Sequence, residues 1–259
     1  MRPPSSGSPP DVDLLQGSAG ADPALDVALP HALVGLVAEG RHRAVVRSYR
    51  PAPTVAFGRR DAFLPGFPDA AEAARRRGFT PVVRGAGGRA AAYNEGCLVL
   101  DEVMPADESI EGIQARFAAD ARRQASALRR LGVDARVGEV PGEYCPGEFT
   151  VNARGETKLI GAAQRIVRGA WLLSSVVVVR SAPALRAVLE DVYAALGLEW
   201  NPATVGAVAD EAPGFAVEDV RRALLVEYAR RYRLTPAPID DLALSRARTL
   251  LDRHRVDGA

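Results

Sequence analysis

The segment Thr80–Asn94, TPVVRGAGGRAAAYN, narrows the choice of folds more than any other part of the chain. Gly85-Ala86-Gly87-Gly88-Arg89-Ala90 fits the loose G-x-G-x-x-A pattern and follows a strand-like run, as a dinucleotide-binding turn would. Such a turn must open a crossover helix within a βαβ unit. Only seven residues separate Gly88 from Gly96, and the strand-like Cys97–Val103 follows. No helix fits there. The reading is strand, glycine-rich turn, strand, with Arg84 entering the turn and glycines that let backbone N–H groups approach an anionic or carbonyl group.

The remaining periodicity agrees with an α+β fold. Apolar spacing predicts helices over 23–39 (with Pro30 as a kink), 69–77, 108–131, 182–196, 217–232 and 240–254. Strands are expected at 43–49, 54–57, 80–84, 97–103 and 171–180, with a hairpin joining 148–152 to 157–161 around Arg154-Gly155. Strands in hairpin order between helices predict a mixed, largely antiparallel sheet with flanking helices. Residues 1–22, rich in Pro, Gly and Ser, read as a disordered tail, and 23–259 as a single domain.

Charge and cysteine content exclude several classes. The 33 basic and 32 acidic residues leave a net charge of +1, which argues against a dedicated nucleic-acid binder. The longest largely apolar run, Trp171–Val179, is too short to span a bilayer. The N-terminal residues contain no apolar h-region, and two cysteines make no disulfide framework, so the expected compartment is the cytoplasm. Three scattered histidines and two cysteines give no metal-ligand spacing.

All the basic residues are Arg except Lys158. A lone Lys against that background marks a position that needs a compact, rotatable ammonium. Cys145, before the Pro146-Gly147 turn, is a candidate nucleophile if a cation stabilises its thiolate, because Glu143 and Glu148 would oppose ionisation. Cys97 starts an apolar strand and reads as core. A straight hairpin sets Val151 opposite Lys158 and holds Cys145 about 20 Å from it, so the two meet only if Pro146-Gly147 folds the cysteine back.

The runs TVAFGRRD, VVRGAGGRAAAYNEGCL and KLIGAAQRIVRG, in that order, resemble the lipoate–protein ligase and octanoyl/lipoyl transferase family, whose catalytic fold is shared with biotin protein ligases. The resemblance covers roughly residues 25–255. Its most specific element is K-x-x-G-x-A-Q at Lys158, Gly161, Ala163 and Gln164. YCPGEFTVNARGETKLIGAAQR is most similar to the lipoyl amidotransferases, which move an octanoyl or lipoyl group from the glycine-cleavage H protein to 2-oxoacid dehydrogenase subunits.

That resemblance implies a nucleophilic role for Cys145 and acyl-carbonyl binding by Lys158. It implies substrate contacts from Arg84, Gly87, Gly88, Gly161, Ala163 and Gln164. The implied partners are lipoyl-domain proteins or acyl carrier protein, and no cofactor is implied. Arg89 stands where ligases carry a third glycine, and Tyr93-Asn94 where they carry a His-Asp pair; the GRGRRG adenylate loop of biotin ligases is absent. Two alternatives stay open: an ATP- and Mg-dependent lipoate ligase in which Cys145 is incidental, and a carrier-binding protein without turnover.

Overall fold

The computed structural model describes residues 8–106 and 112–256. In chain order the strands are β1 (Asp11–Gln16), β2 (Val45–Tyr49), β3 (Thr54–Phe57), β4 (Thr80–Val83), β5 (Ala91–Tyr93), β6 (Cys97–Pro105), β7 (Ala135–Val137), β8 (Val151–Ala153), β9 (Thr157–Val167), β10 (Ala170–Val178) and β11 (Arg233–Ala237). The helices are α1 (Pro23–Ala38), α2 (Phe67–Arg76), α3 (Ile113–Arg130), α4 (Ala182–Leu196), α5 (Val208–Glu211), α6 (Val217–Ala229) and α7 (Asp241–Arg248).

Eight strands form the main sheet in the order β11-β1-β2-β6-β10-β9-β8-β7. Pairing is antiparallel from β2 to β7, and β1 runs parallel to both β2 and β11. Alternation along the strands divides the core. Val46, Leu98, Leu100 and Leu173 face α3 and α6, while Val45, Val103 and Leu172 face α1 and α7. A second sheet, β4-β3-β5, packs against α2 and α4 through Val55, Phe57, Ala70, Leu185 and Leu189.

Two sequence expectations need correction. Residues 11–16, read as part of a disordered tail, form β1, because Val12, Leu14 and Leu15 are buried and the backbone pairs on both sides; residues 1–7 lie outside the described residues. The strand expected next after the glycine turn is 97–103, but β5 (Ala91–Tyr93), which the sequence reading does not contain, comes before it. β4 and β5 sit on opposite edges of β3, so the loop between them crosses over the end of β3 instead of closing a hairpin. The helix expected over 108–131 begins at Ile113, and positions 108–111 of that expectation lie outside the described residues.

A buried ion cluster ties α1 to the sheet. Arg47, fully buried, pairs with Asp26 of α1 and with Asp101 of β6 at 3.5 Å, and Ser174 donates to Asp101 at 2.6 Å. Burial outweighs the pull of Arg47 and raises the Asp101 carboxyl to about 6. Removing the cation strands two carboxylates in the interior. Arg47→Met is therefore expected to cost about 3–5 kcal/mol of unfolding free energy, measured by urea titration.

Candidate active site

Two loops meet over the sheet face left open between α1 and the small sheet. The first, residues 84–90, connects β4 to β5. It packs backbone to backbone on the turn after β3: a Cβ on Gly58 would fall 1.8 Å from the carbonyl oxygen of Gly88. Arg89 fixes its far end by pairing with the buried Asp61 at 3.1 Å, and Asp61 also accepts from the Gly58 N–H at 2.9 Å. The second loop, residues 144–150, precedes β8.

The 144–150 loop departs from the straight hairpin of the sequence reading. A bulge between Val151 and Asn152 puts Asn152, not Val151, opposite Lys158, and the paired strand ends at Val151. The preceding residues then fold back over β9. Cys145 has φ +44°, a left-handed conformation that costs a non-glycine residue about 1–3 kcal/mol. Four contacts hold it there. Its N–H donates to the Tyr193 hydroxyl at 2.9 Å, and that hydroxyl donates to the Ala90 carbonyl at 3.0 Å, bolting the two loops together. The Lys158 ammonium donates to the carbonyls of Tyr144 at 3.1 Å and Cys145 at 2.8 Å.

The Cys145 sulfur points at the glycine loop. The Arg89 backbone N–H lies 3.2 Å from Sγ and Arg84 Nη2 lies 3.4 Å from it. Burial alone would push the thiol up, but Arg84, Lys158 and the Arg89 N–H outweigh it and hold the thiol below its ordinary range. The carboxylates feared from the sequence do not spoil this. Glu143 is turned away, accepting from Lys158 at 3.1 Å, from Thr150 Oγ1 at 2.9 Å and from the Gly147 N–H at 3.1 Å. Cys97, fully buried, is pushed up to about 12 by burial and stays a core residue.

Glycines make the close approach possible. At Gly88, with φ +100°, a Cβ would stand 2.8 Å from Cys145 Sγ and 2.5 Å from Arg84 Nη2. At Gly161 a Cβ would meet Lys158 Cε at 2.8 Å. Lys158 is 2% exposed, and its three acceptors match its three N–H donors. The resting ammonium thus holds the cysteine loop, and it reaches an acyl oxygen only by exchanging one of these partners.

Arg84, Gly87, Gly88, Cys145, Lys158, Gly161, Ala163 and Gln164 all line one cavity of about 600 Å³. Its apolar walls include Val27, Ala56, Ala92, Val99 and Val176, and Asp101 and Ser174 line it as well. Both amide atoms of Gln164 are buried without a partner, which leaves a donor and an acceptor for a bound group. Among the described residues no group of three or more His, Cys, Asp or Glu side chains is placed to hold a metal ion. Nor is any helix among them long and apolar enough to cross a membrane.

Sequence reasoning missed Tyr193, Asp61 and the pairing of Glu143 with Lys158, none of which has a local signal. It also read the three histidines as scattered. The structure instead brings His31 and His254 together at 3.0 Å.

An arginine that ionises a thiol gives a direct test. Arg84→Gln is expected to move the midpoint of the pH–rate profile for Cys145 alkylation upward, because the cation within hydrogen-bond reach of the sulfur is lost and the thiolate is then favoured only at higher pH. Iodoacetamide labelling followed by mass spectrometry reads this, with Cys97 silent in the folded protein.

The comparisons with known proteins fit this geometry. The model of the lipoyl protein ligase A/B catalytic domain matches residues 22–229. At 32% identity over 162 residues the chain aligns with the octanoyl-[GcvH]:protein N-octanoyltransferase of Geobacillus kaustophilus, covering 62% of this chain and 57% of that one. With the enzyme of the same name from Exiguobacterium sibiricum it is 32% identical over 214 residues, 77% of each chain. Among solved structures, the bi-partite lipoate protein ligase of Thermoplasma acidophilum superposes with a TM-score of 0.71 at 22% identity, over 95% of this chain and 93% of that one, and shows the shared fold.

Proposed function

The chain belongs to the lipoyl protein ligase A/B catalytic domain family, and from that premise we propose that it is a cysteine-dependent acyltransferase. It moves an octanoyl or lipoyl group from the glycine-cleavage H protein to a lysine of another lipoyl-domain protein. The relatives named octanoyl-[GcvH]:protein N-octanoyltransferase support the donor. The observation that carries the reading is the Cys145 sulfur, held in a left-handed backbone turn at the mouth of an apolar cavity with Arg84 and the Arg89 N–H on it.

The chemistry runs in two halves. The Cys145 thiolate attacks the carbonyl carbon of the acyl-lysine amide, the C–N bond breaks, and the donor lysine leaves as an amine by taking a proton from water as the thioester forms. An acceptor lysine amine then attacks the thioester carbonyl, gives up a proton, and displaces Cys145 as thiolate. Lys158 serves first by holding the 144–150 loop. As the acyl carbonyl enters, its ammonium trades a loop carbonyl for the oxygen on which negative charge grows. The Gln164 amide contacts the acyl-lysine amide or the chain beyond it.

Both the bond broken and the bond made overall are lysine amides, so the exchange consumes no nucleotide. The ligase alternative would leave the strain at Cys145 and its two sulfur contacts without a purpose. The test is transfer itself: octanoylated H protein, an unmodified lipoyl domain and this chain, mixed without ATP, are expected to give a lipoyl domain heavier by one octanoyl group. An unmodified acceptor that gains mass only with ATP and free lipoate would refute the reading.

A further inference from the structure

A second cavity, of about 610 Å³, lies on the other side of the glycine loop and shares His31 and Arg84 with the first. Five arginines line it: Arg59 after β3, Arg84, Arg165 on β9, Arg246 on α7 and Arg253 in the turn after α7. Neither Asp nor Glu lines it. Arg246 is neutralised from outside by Glu39 at 3.1 Å, and Arg84 is committed to Cys145 and the Arg89 carbonyl. Among the described residues no carboxylate pairs with Arg59, Arg165 or Arg253; Arg165 donates only to the Gly85 carbonyl, at 3.1 Å. Three cations thus line one cavity with no carboxylate on them, a charge pattern that favours an anion there.

The histidine pair completes the wall. His254 Nδ1 lies 2.7 Å from the Val83 carbonyl, which can only accept, so Nδ1 carries the proton and Nε2 is bare. Bare Nε2 must accept from His31 Nδ1 at 3.0 Å, which leaves His31 Nε2 as an open acceptor. Burial, His254, Arg165 and Arg59 together push His31 down to about 3, so it is neutral and the pairing holds at neutral pH. Only glycine fits at position 85, where a Cβ would come 2.4 Å from His31 Cε1. The rest of the wall, Ala32, Val34, Val83, Val167 and Leu250, is apolar.

We propose that this cavity binds a phosphate monoester, its phosphate held by Arg59, Arg165 and Arg253 and its organic body by the apolar wall. A carboxylate satisfies one guanidinium fork, whereas a tetrahedral phosphate with three acceptor oxygens takes several forks from different sides. In its monoprotonated form it also donates to His31 Nε2. The cavity of about 610 Å³ leaves room beside the phosphate for an ester group.

Phenyl phosphate and inorganic phosphate are titrated separately into the full chain by calorimetry, with histidine imidazole NMR on the same samples. Saturable one-to-one binding of phenyl phosphate is expected, shifting the His31 and His254 resonances together. The Arg59→Ala/Arg253→Ala double variant should bind it about tenfold more weakly or worse. Both side chains are exposed, and their loss relieves repulsion, so that variant should fold. Equal binding of inorganic phosphate would keep the phosphate site and assign it to the free ion. No saturable binding of either probe, or unchanged binding in the double variant, would overturn the proposal.

Discussion

Cys145→Ala is expected to lower the rate of acyl transfer on the order of 10⁴-fold or more, while the thermal unfolding midpoint stays within a few degrees of wild type. The size of the effect follows from the role. Without a thiolate there is no thioester, and a lysine amine would have to displace another lysine from an unactivated amide. The structural cost is small because the side chain supplies only a sulfur to the Arg84 and Arg89 contacts, and the backbone bonds from Tyr193 and Lys158 remain. Cys145→Ser should be nearly as damaged, because Arg84 favours ionisation of a thiol, whereas a serine hydroxyl is far too weak an acid to be ionised by it. Transfer rates with acceptor mass as the readout decide the point, and Cys97→Ala serves as the neutral control.

Lys158→Arg is expected to cost about 10²–10³ in transfer rate with the net charge unchanged. Lys158 stands 2.8 Å, through Cε, from the space a Cβ would take at Gly161, and its Nζ lies 4.9 Å from the Tyr144 ring centroid. A point-like ammonium can rotate there from a loop carbonyl to an acyl oxygen while keeping Glu143. A planar guanidinium presents its donors in a fixed fork and is wider than the slot. Because the charge at 158 is kept and Arg84 is untouched, the variant should leave the pH dependence of Cys145 alkylation close to wild type, unlike Arg84→Gln. A variant that transfers at the wild-type rate would remove Lys158 from the chemistry and leave it a purely structural clamp.

The long elements were legible where their periodicity is uninterrupted: α4 has the expected bounds, β6 contains the expected 97–103, and β10 covers 171–178 of the expected 171–180, whereas β9 runs six residues past the hairpin arm expected over 157–161. β1 and β11 were missed for a physical reason. Each is short, lies beside turn-forming residues and gains its stability from pairing with the other, more than 200 residues away in sequence. The eight candidate residues were legible as motifs and converge on one cavity. Local periodicity cannot show a loop reversal. The bulge at Val151, the φ +44° at Cys145 and the hydroxyl of Tyr193 that locks them arise from contacts between distant segments. The same holds for Arg84, whose position in the turn gave no hint that its guanidinium would end on a sulfur 61 residues ahead.

The central claim is that Cys145 carries the acyl group as a thioester. Its most direct test is intact-protein mass spectrometry after brief mixing with octanoylated H protein in the absence of ATP. Wild type is expected to gain one octanoyl group, removable by hydroxylamine and mapping to the peptide that contains Cys145, and Cys145→Ala should gain nothing. Transfer to a lipoyl domain that proceeds at full rate in Cys145→Ala, with no acylated enzyme in either sample, would contradict the account.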